Sequence, residues 1–146
     1  MVLKNCVATL LLILYDEFIR DWGNMAQYHH LKVYRTSFDL LVMIVQVAMH
    51  FQREFRYTLG ERLQNYAIDF IVVIYKANSA KTPQERATYI CDLIEKLQYI
   101  CVVLQLSCEL KNISKEKYID MSKLTQDIEK QLNGWLAQTR KGLAGE

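Results

Sequence analysis

The sequence predicts an all-α fold, an antiparallel up-down-up-down four-helix bundle, on three observations. Hydrophobic residues make up 51% of 146, enough for a sizeable core in one domain. One proline and five glycines are too few turn residues for an all-β chain. Four long stretches repeat apolar residues at helical spacing, and residues that start or stop helices separate most of them. The expected organisation is an N-terminal extension over residues 1–30, a bundle over 31–137 and a flexible C-terminal tail over 138–146.

The first 24 residues read differently from the rest. After Lys4 comes an apolar run over residues 7–15, too short to span a bilayer. Three readings stay open: an extra helix packed on the bundle, an upstream extension with Met25 as a second start, and a secretion signal. The acidic pair Asp16-Glu17 follows the run at once and no A-x-A cleavage pattern appears, which counts against the third.

Helix one is expected over residues 31–52. Its polar strip is Lys32, Arg35, Thr36, Asp39, Gln46 and His50. The apolar arc of Tyr34, Phe38, Leu41, Val42, Val45, Ala48 and Met49, flanked by Leu40, Ile44 and Val47, is wider than one core face requires. Residues 52–56 read as a short charged connection. Thr58 with Glu61 then reads as a capping box opening helix two, with Gly60 in the first turn, where it costs least.

Helix two carries two apolar stripes. Leu59, Leu63, Tyr66, Ala67, Phe70, Ile74 and Ala77 form one, and Ile68, Ile71, Val72 and Tyr75 cluster roughly opposite. A lone small bundle needs one buried face per helix, so the second stripe predicts a position between this bundle and another subunit. Asn78 is expected as a left-handed C-cap. Thr82-Pro83-Gln84-Glu85 then gives a cap, a proline at the first helical position and a closing glutamate, the clearest local signal in the chain. Helix three, to about residue 110, has a core stripe of Ile90, Leu93, Ile94, Leu97, Ile100, Cys101, Leu104 and Cys108. Its second stripe is Tyr99, Val102, Val103, Leu106 and Leu110. Ser114 is expected to cap helix four, which runs to about residue 137 on a single stripe of Tyr118, Met121, Thr125, Ile128, Leu132 and Trp135. The expected subunit interface is therefore Ile68, Ile71, Val72 and Tyr75 with Val102, Val103 and Leu106.

The residues exclude most chemistry. His29, His30 and His50 have no carboxylate or cysteine at a spacing that suggests a triad or metal site, and no Glu-x-x-His pair exists for a carboxylate metal bundle. No glycine-rich phosphate loop is present. Cys6, Cys91, Cys101 and Cys108 form no CxxC pair and read as reduced packing residues, consistent with a cytoplasmic protein. No catalytic residue, metal or cofactor is expected. Net charge is +2, and the chain without residues 1–24, which loses Lys4, Arg20, Asp16, Glu17 and Asp21, carries +3. Two basic groups stand out: Arg53, Arg56 and Arg62 around the first connection, and Lys76, Lys81 and Arg86 around the second. A bundle puts them at opposite ends, and a ring of subunits repeats each as a belt.

Several stretches resemble a known family. They are YRTSFDLLVMIVQVAMHFQREFRYTLGERLQNYAIDFIVVIYKAN, KTPQERATYICDLIEKLQYICVVLQLSCELKNISKEKY and QLNGWLAQTRKG. Together they resemble the four-helix-bundle family of accessory variability determinants of diversity-generating retroelements and of proteins encoded in ribosomal RNA intervening sequences. Residues 51–64 and 128–136 look most like the accessory variability determinants, and the resemblance covers about residues 31–141. It implies a homopentameric barrel of bundles, without catalytic activity, that binds the retroelement's reverse transcriptase and template RNA or cDNA. No membrane partner is expected, since the apolar run over residues 7–15 is too short to span a bilayer. The assembly would support mutagenic cDNA synthesis and retrohoming. The intervening-sequence type, with an unassigned nucleic-acid-binding or structural role, is the alternative within the same fold. A bundle enzyme or metal carrier, and a secreted or membrane-associated helical protein, are alternatives from other classes.

Overall fold

The structure, a computed structural model, describes residues 31–145, and these are helical almost throughout, with no strand among them. The expectations for residues 1–30 lie outside the described residues. Four long helices, α1 (Lys32–Ala48), α2 (Glu61–Ser79), α3 (Pro83–Glu109) and α4 (Lys115–Ala144), make an all-α bundle. Each helix packs against its sequence neighbours, and α1 also packs against α4. The core is what the spacing of large aliphatic residues dictates. Leu40 and Ile44 on α1, Leu63, Phe70 and Ile74 on α2, Ile90, Leu93, Leu97, Ile100 and Leu104 on α3, and Met121, Ile128 and Leu132 on α4 are all buried. Each such side chain contributes about 1.5–3 kcal/mol relative to leaving it exposed.

On α1 the buried side is centred differently from the expected arc. Leu40 and Ile44, expected at the flank, are in the core with Val33, Tyr34, Ser37 and Ala48, whereas Phe38, Val42 and Met49 are exposed. The arc holds more apolar residues than one core needs, so periodicity alone does not say which part faces inward. Helix α1 also stops short of residue 52. The backbone tightens, with His50 N–H donating to Val47 O at 3.0 Å and Phe51 N–H to Ala48 O at 3.2 Å, and Phe51 drops into the interior.

The first connection is no loop. A single turn, Arg53–Phe55, and a π-helical turn, Arg56–Gly60, lead straight into α2. The expected Thr58–Glu61 capping box is absent. The Thr58 hydroxyl instead donates backward to Glu54 O and Phe55 O, both at 3.4 Å, and no side chain caps α2. Gly60 is buried, and a Cβ there would lie 3.3 Å from Phe51 Cδ2, so the glycine admits the Phe51 ring rather than a special dihedral.

The second connection behaves as read. Thr82 is extended (φ −120°, ψ 150°), its hydroxyl accepts from Glu85 N–H at 3.2 Å, and Pro83 takes the first turn of α3. The Glu85 carboxylate accepts from Lys81 N–H at 3.1 Å, one residue upstream of where a reciprocal box closes. Asn78 is not left-handed, because α2 continues to Ser79 and leaves through extended Ala80. Lys111 is the left-handed residue (φ 59°). There Lys111 N–H donates to Cys108 O and Asn112 N–H to Ser107 O, the Schellman pattern, on a residue type that pays a steric penalty glycine avoids. Ser114 caps α4 as expected, its hydroxyl accepting from Lys117 N–H. Helix α4 then continues through the expected tail to Ala144, passing Gly134 and Gly142 without a break, because Leu136 and Thr139 are buried.

Candidate functional site

Closing the core leaves apolar residues outside. On α2, Ile68 (48% exposed) and Val72 are open, and Ile71 and Tyr75 are half-buried. On α3, Tyr99 (53%), Val102 (63%), Leu106 and Leu110 are open. Val103, expected on this outer stripe, is instead buried at 9% in the bundle's own interior, beside Leu104 on the sequence. The reason is geometric: position 103 follows Ile100 by one short helical step and shares its inward side. The Tyr66 and Tyr99 rings meet at 6.0 Å between centroids, linking α2 to α3 at this surface. Near its end, Tyr57 (73% exposed), Leu59, Arg62, Tyr66, Leu106 and Leu110 line an open groove, and Glu61 and Asp69 also border it.

The first basic group sits on this helical connection. Arg53 and Arg62 are exposed, and no carboxylate pairs with them among the described residues. Arg56 is exposed too, with its Nη2 3.4 Å from Phe51 O, so its guanidinium helps hold the connection. Arg62 and Lys76, the members of the two groups that α2 itself carries, stand about 21 Å apart along its axis.

In the second group Lys76 and Lys81 are exposed. Arg86 is not a free surface charge. Its Nε donates to Ala77 O and its Nη2 to Ala80 O, both at 3.3 Å, so it supplies donors to carbonyls at the C-terminal end of α2. With Pro83 it also borders a groove against α4 formed by Trp135, Gln138, Thr139 and Gly142. Thr139 Oγ1 donates to Trp135 O at 2.8 Å. Sequence reasoning missed this groove because it ended the helix at residue 137. The signal was present: positions 135, 138, 139 and 142 share one face of a continuing helix.

The described cysteines are free thiols. Cys91 is exposed, against the expectation of a packing residue, while Cys101 and Cys108 are half-buried. Burial pushes the Cys101 thiol above its ordinary pKa, a hydrogen bond with Thr125 pulls it down, and Glu129 raises it further. Among the described residues no group of three His, Cys, Asp or Glu side chains is placed to hold a metal ion, and no helix is long and apolar enough to cross a membrane.

Neither the protein-family models nor the curated proteins give a match to this chain. The surface therefore has to be read from its own chemistry. It offers apolar side chains along α2 and α3, and cations at both ends of α2 that have no carboxylate partner among the described residues. That suits docking and phosphate contact.

Proposed function

We propose that this chain is a non-enzymatic accessory protein of a diversity-generating retroelement. In this reading it is cytoplasmic, forms a homopentameric ring of antiparallel up-down-up-down bundles, and binds the reverse transcriptase and template RNA during mutagenic cDNA synthesis and retrohoming. The observation that carries the proposal is the row of large apolar side chains left outside a closed core on α2 and α3. Such a row favours association with a second copy, and the sequence resemblance supplies the kind of ring.

The up-down topology is supported by short connections and by two cross-links. Gln52 N–H donates to Asn112 Oδ1 at 2.8 Å, tying the end of α1 to the α3–α4 turn. Gln131 Nε2 donates to Thr36 Oγ1 at 3.3 Å, tying the start of α1 to the second half of α4. Free thiols on the described part of the chain fit a reducing compartment. The charge of +3 without residues 1–24 is modest, and fivefold repetition raises it to roughly +15 per ring.

Light scattering tests the assembly, with a mass of five copies expected at micromolar concentration. A stable monomer overturns it. RNA binding across a salt series tests the function. Affinity is expected to fall with a slope of about −0.7 per single-strand phosphate contacted. Arg53, Arg56 and Arg62 are expected to contribute, so a ring-forming Arg53/Arg56/Arg62→Ala variant binds more weakly with a shallower slope. Failure of the wild-type ring to bind template RNA or reverse transcriptase overturns the proposal.

A further inference from the structure

We propose that the groove between the start of α3 and the last turns of α4 seats one unpaired nucleotide of an RNA strand. Its base would lie against Trp135 and the adjoining phosphates beside Arg86 at the rim, within reach of Lys81 and Lys141. The inference rests on the RNA-binding reading above and says where on the bundle the strand runs.

The groove is bordered by Pro83, Arg86, Trp135, Gln138, Thr139 and Gly142. Trp135 is half-buried, so part of the indole is accessible, and the Thr139 hydroxyl bonds to its backbone carbonyl. A Cβ at Gly142 would meet nothing within 4 Å, so the groove is open beside the indole. Arg86 is held by the Ala77 and Ala80 carbonyls, which fixes its planar cation at the rim and leaves further N–H donors of the fork for an anion.

Charge selects the occupant. Residues 76–86 and 135–145 carry Lys76, Lys81, Arg86, Arg140 and Lys141 against Glu85 alone, and the Glu85 carboxylate already accepts from Lys81 N–H. The groove beside Arg62 differs, with Glu61 and Asp69 on its border and Leu106 and Leu110 within it. The first groove therefore favours a polyanion more strongly than the second, where the arginines act beside carboxylates. An accessible indole beside cations matches an unstacked base and its phosphates, whereas a duplex keeps its base faces covered. Cations at the C-terminal end of α4 also complement the helix dipole. That role requires neither the open groove nor the accessible indole.

The test uses the full chain with Trp22→Phe, so that emission reports Trp135 alone. Titration with short single-stranded oligoadenylate is expected to quench that emission. Gly142→Leu fills the open groove and replaces glycine with a better helix former, so the helix content is retained while affinity drops about tenfold or more. Lys81→Ala with Lys141→Ala lowers the salt slope by about 0.7 per lost contact. Binding without quenching, equal quenching by a duplex, or wild-type affinity in a helical Gly142→Leu variant each overturns the groove and leaves RNA binding by the ring standing. No RNA binding by the starting protein overturns both.

Discussion

The two connections that bracket α2 carry the same four-residue pattern and fold in opposite ways. Thr58 and Glu61 match Thr82 and Glu85 in type and spacing, yet only Thr82 caps a helix. Pro83 makes the difference. Its ring disfavours the helical region for the residue before it, so Thr82 is extended and its hydroxyl faces the first free N–H groups. Leu59 imposes no such restriction on Thr58. The chain there stays helical, the Thr58 hydroxyl turns back to carbonyls behind it, and Phe51 packing against Gly60 holds the junction. One connection is fixed by local stereochemistry and the other by burial.

That contrast predicts how each will fail. The largest effect is expected at Phe51, which is 1% exposed and anchors the first connection. Phe51→Ala should cost about 3–5 kcal/mol in urea denaturation, through lost burial and the cavity left behind. A loss below about 1 kcal/mol would mean the connection does not depend on packing. Next comes Arg86, whose guanidinium serves two carbonyls near the end of α2. Arg86→Met keeps the aliphatic stem and should cost about 1.5–3 kcal/mol, the range for hydrogen bonds to a charged group. Unchanged stability would return Arg86 to the surface charges.

The matched pair of threonines gives the sharpest comparison. Thr82→Ala should cost about 1 kcal/mol, whereas Thr58→Ala should stay within about 0.5 kcal/mol. Equal losses would break the distinction between the two connections. Pro83→Ala should cost about 0.4–1 kcal/mol, because the alanine frees the unfolded chain and relaxes the restriction that keeps Thr82 extended toward Glu85 N–H. Amide hydrogen exchange at Glu85 should rise modestly in that variant, and strong protection there would show that proline is not what holds Thr82 extended.

Much of the interior was legible because helical periodicity and residue size are local properties. Leu63, Phe70, Ile74, Ile90, Leu93, Leu97, Ile100, Leu104, Met121, Ile128 and Leu132 all lie where the stripes put them. The errors fell where two faces competed or no breaker marked an end. On α1 every side of the arc was hydrophobic enough to bury, and contact with α2 and α4 selected Leu40 and Ile44 over Phe38 and Val42. On α3 the outer stripe was right for Val102 and Leu106 and wrong for Val103. The candidate site was legible as a set of cations but not as a geometry. Nothing local to Arg86 announces that it bonds the end of the preceding helix, and nothing local to Trp135 announces a neighbour on α3.

The sequence by itself determined that this chain is helical, where its caps at Thr82 and Ser114 lie, and which residues are large and apolar enough to make a core. Those follow from dihedral restrictions, short-range hydrogen bonds and side-chain period, all set within a few turns of chain. Tertiary structure alone decided that Phe51 and Gly60 would weld the first connection, that α4 would continue to Ala144, and that Arg86 and Trp135 would border one groove. Each of these depends on burial or on a partner distant in sequence, and free energy of that kind exists only once the helices have packed.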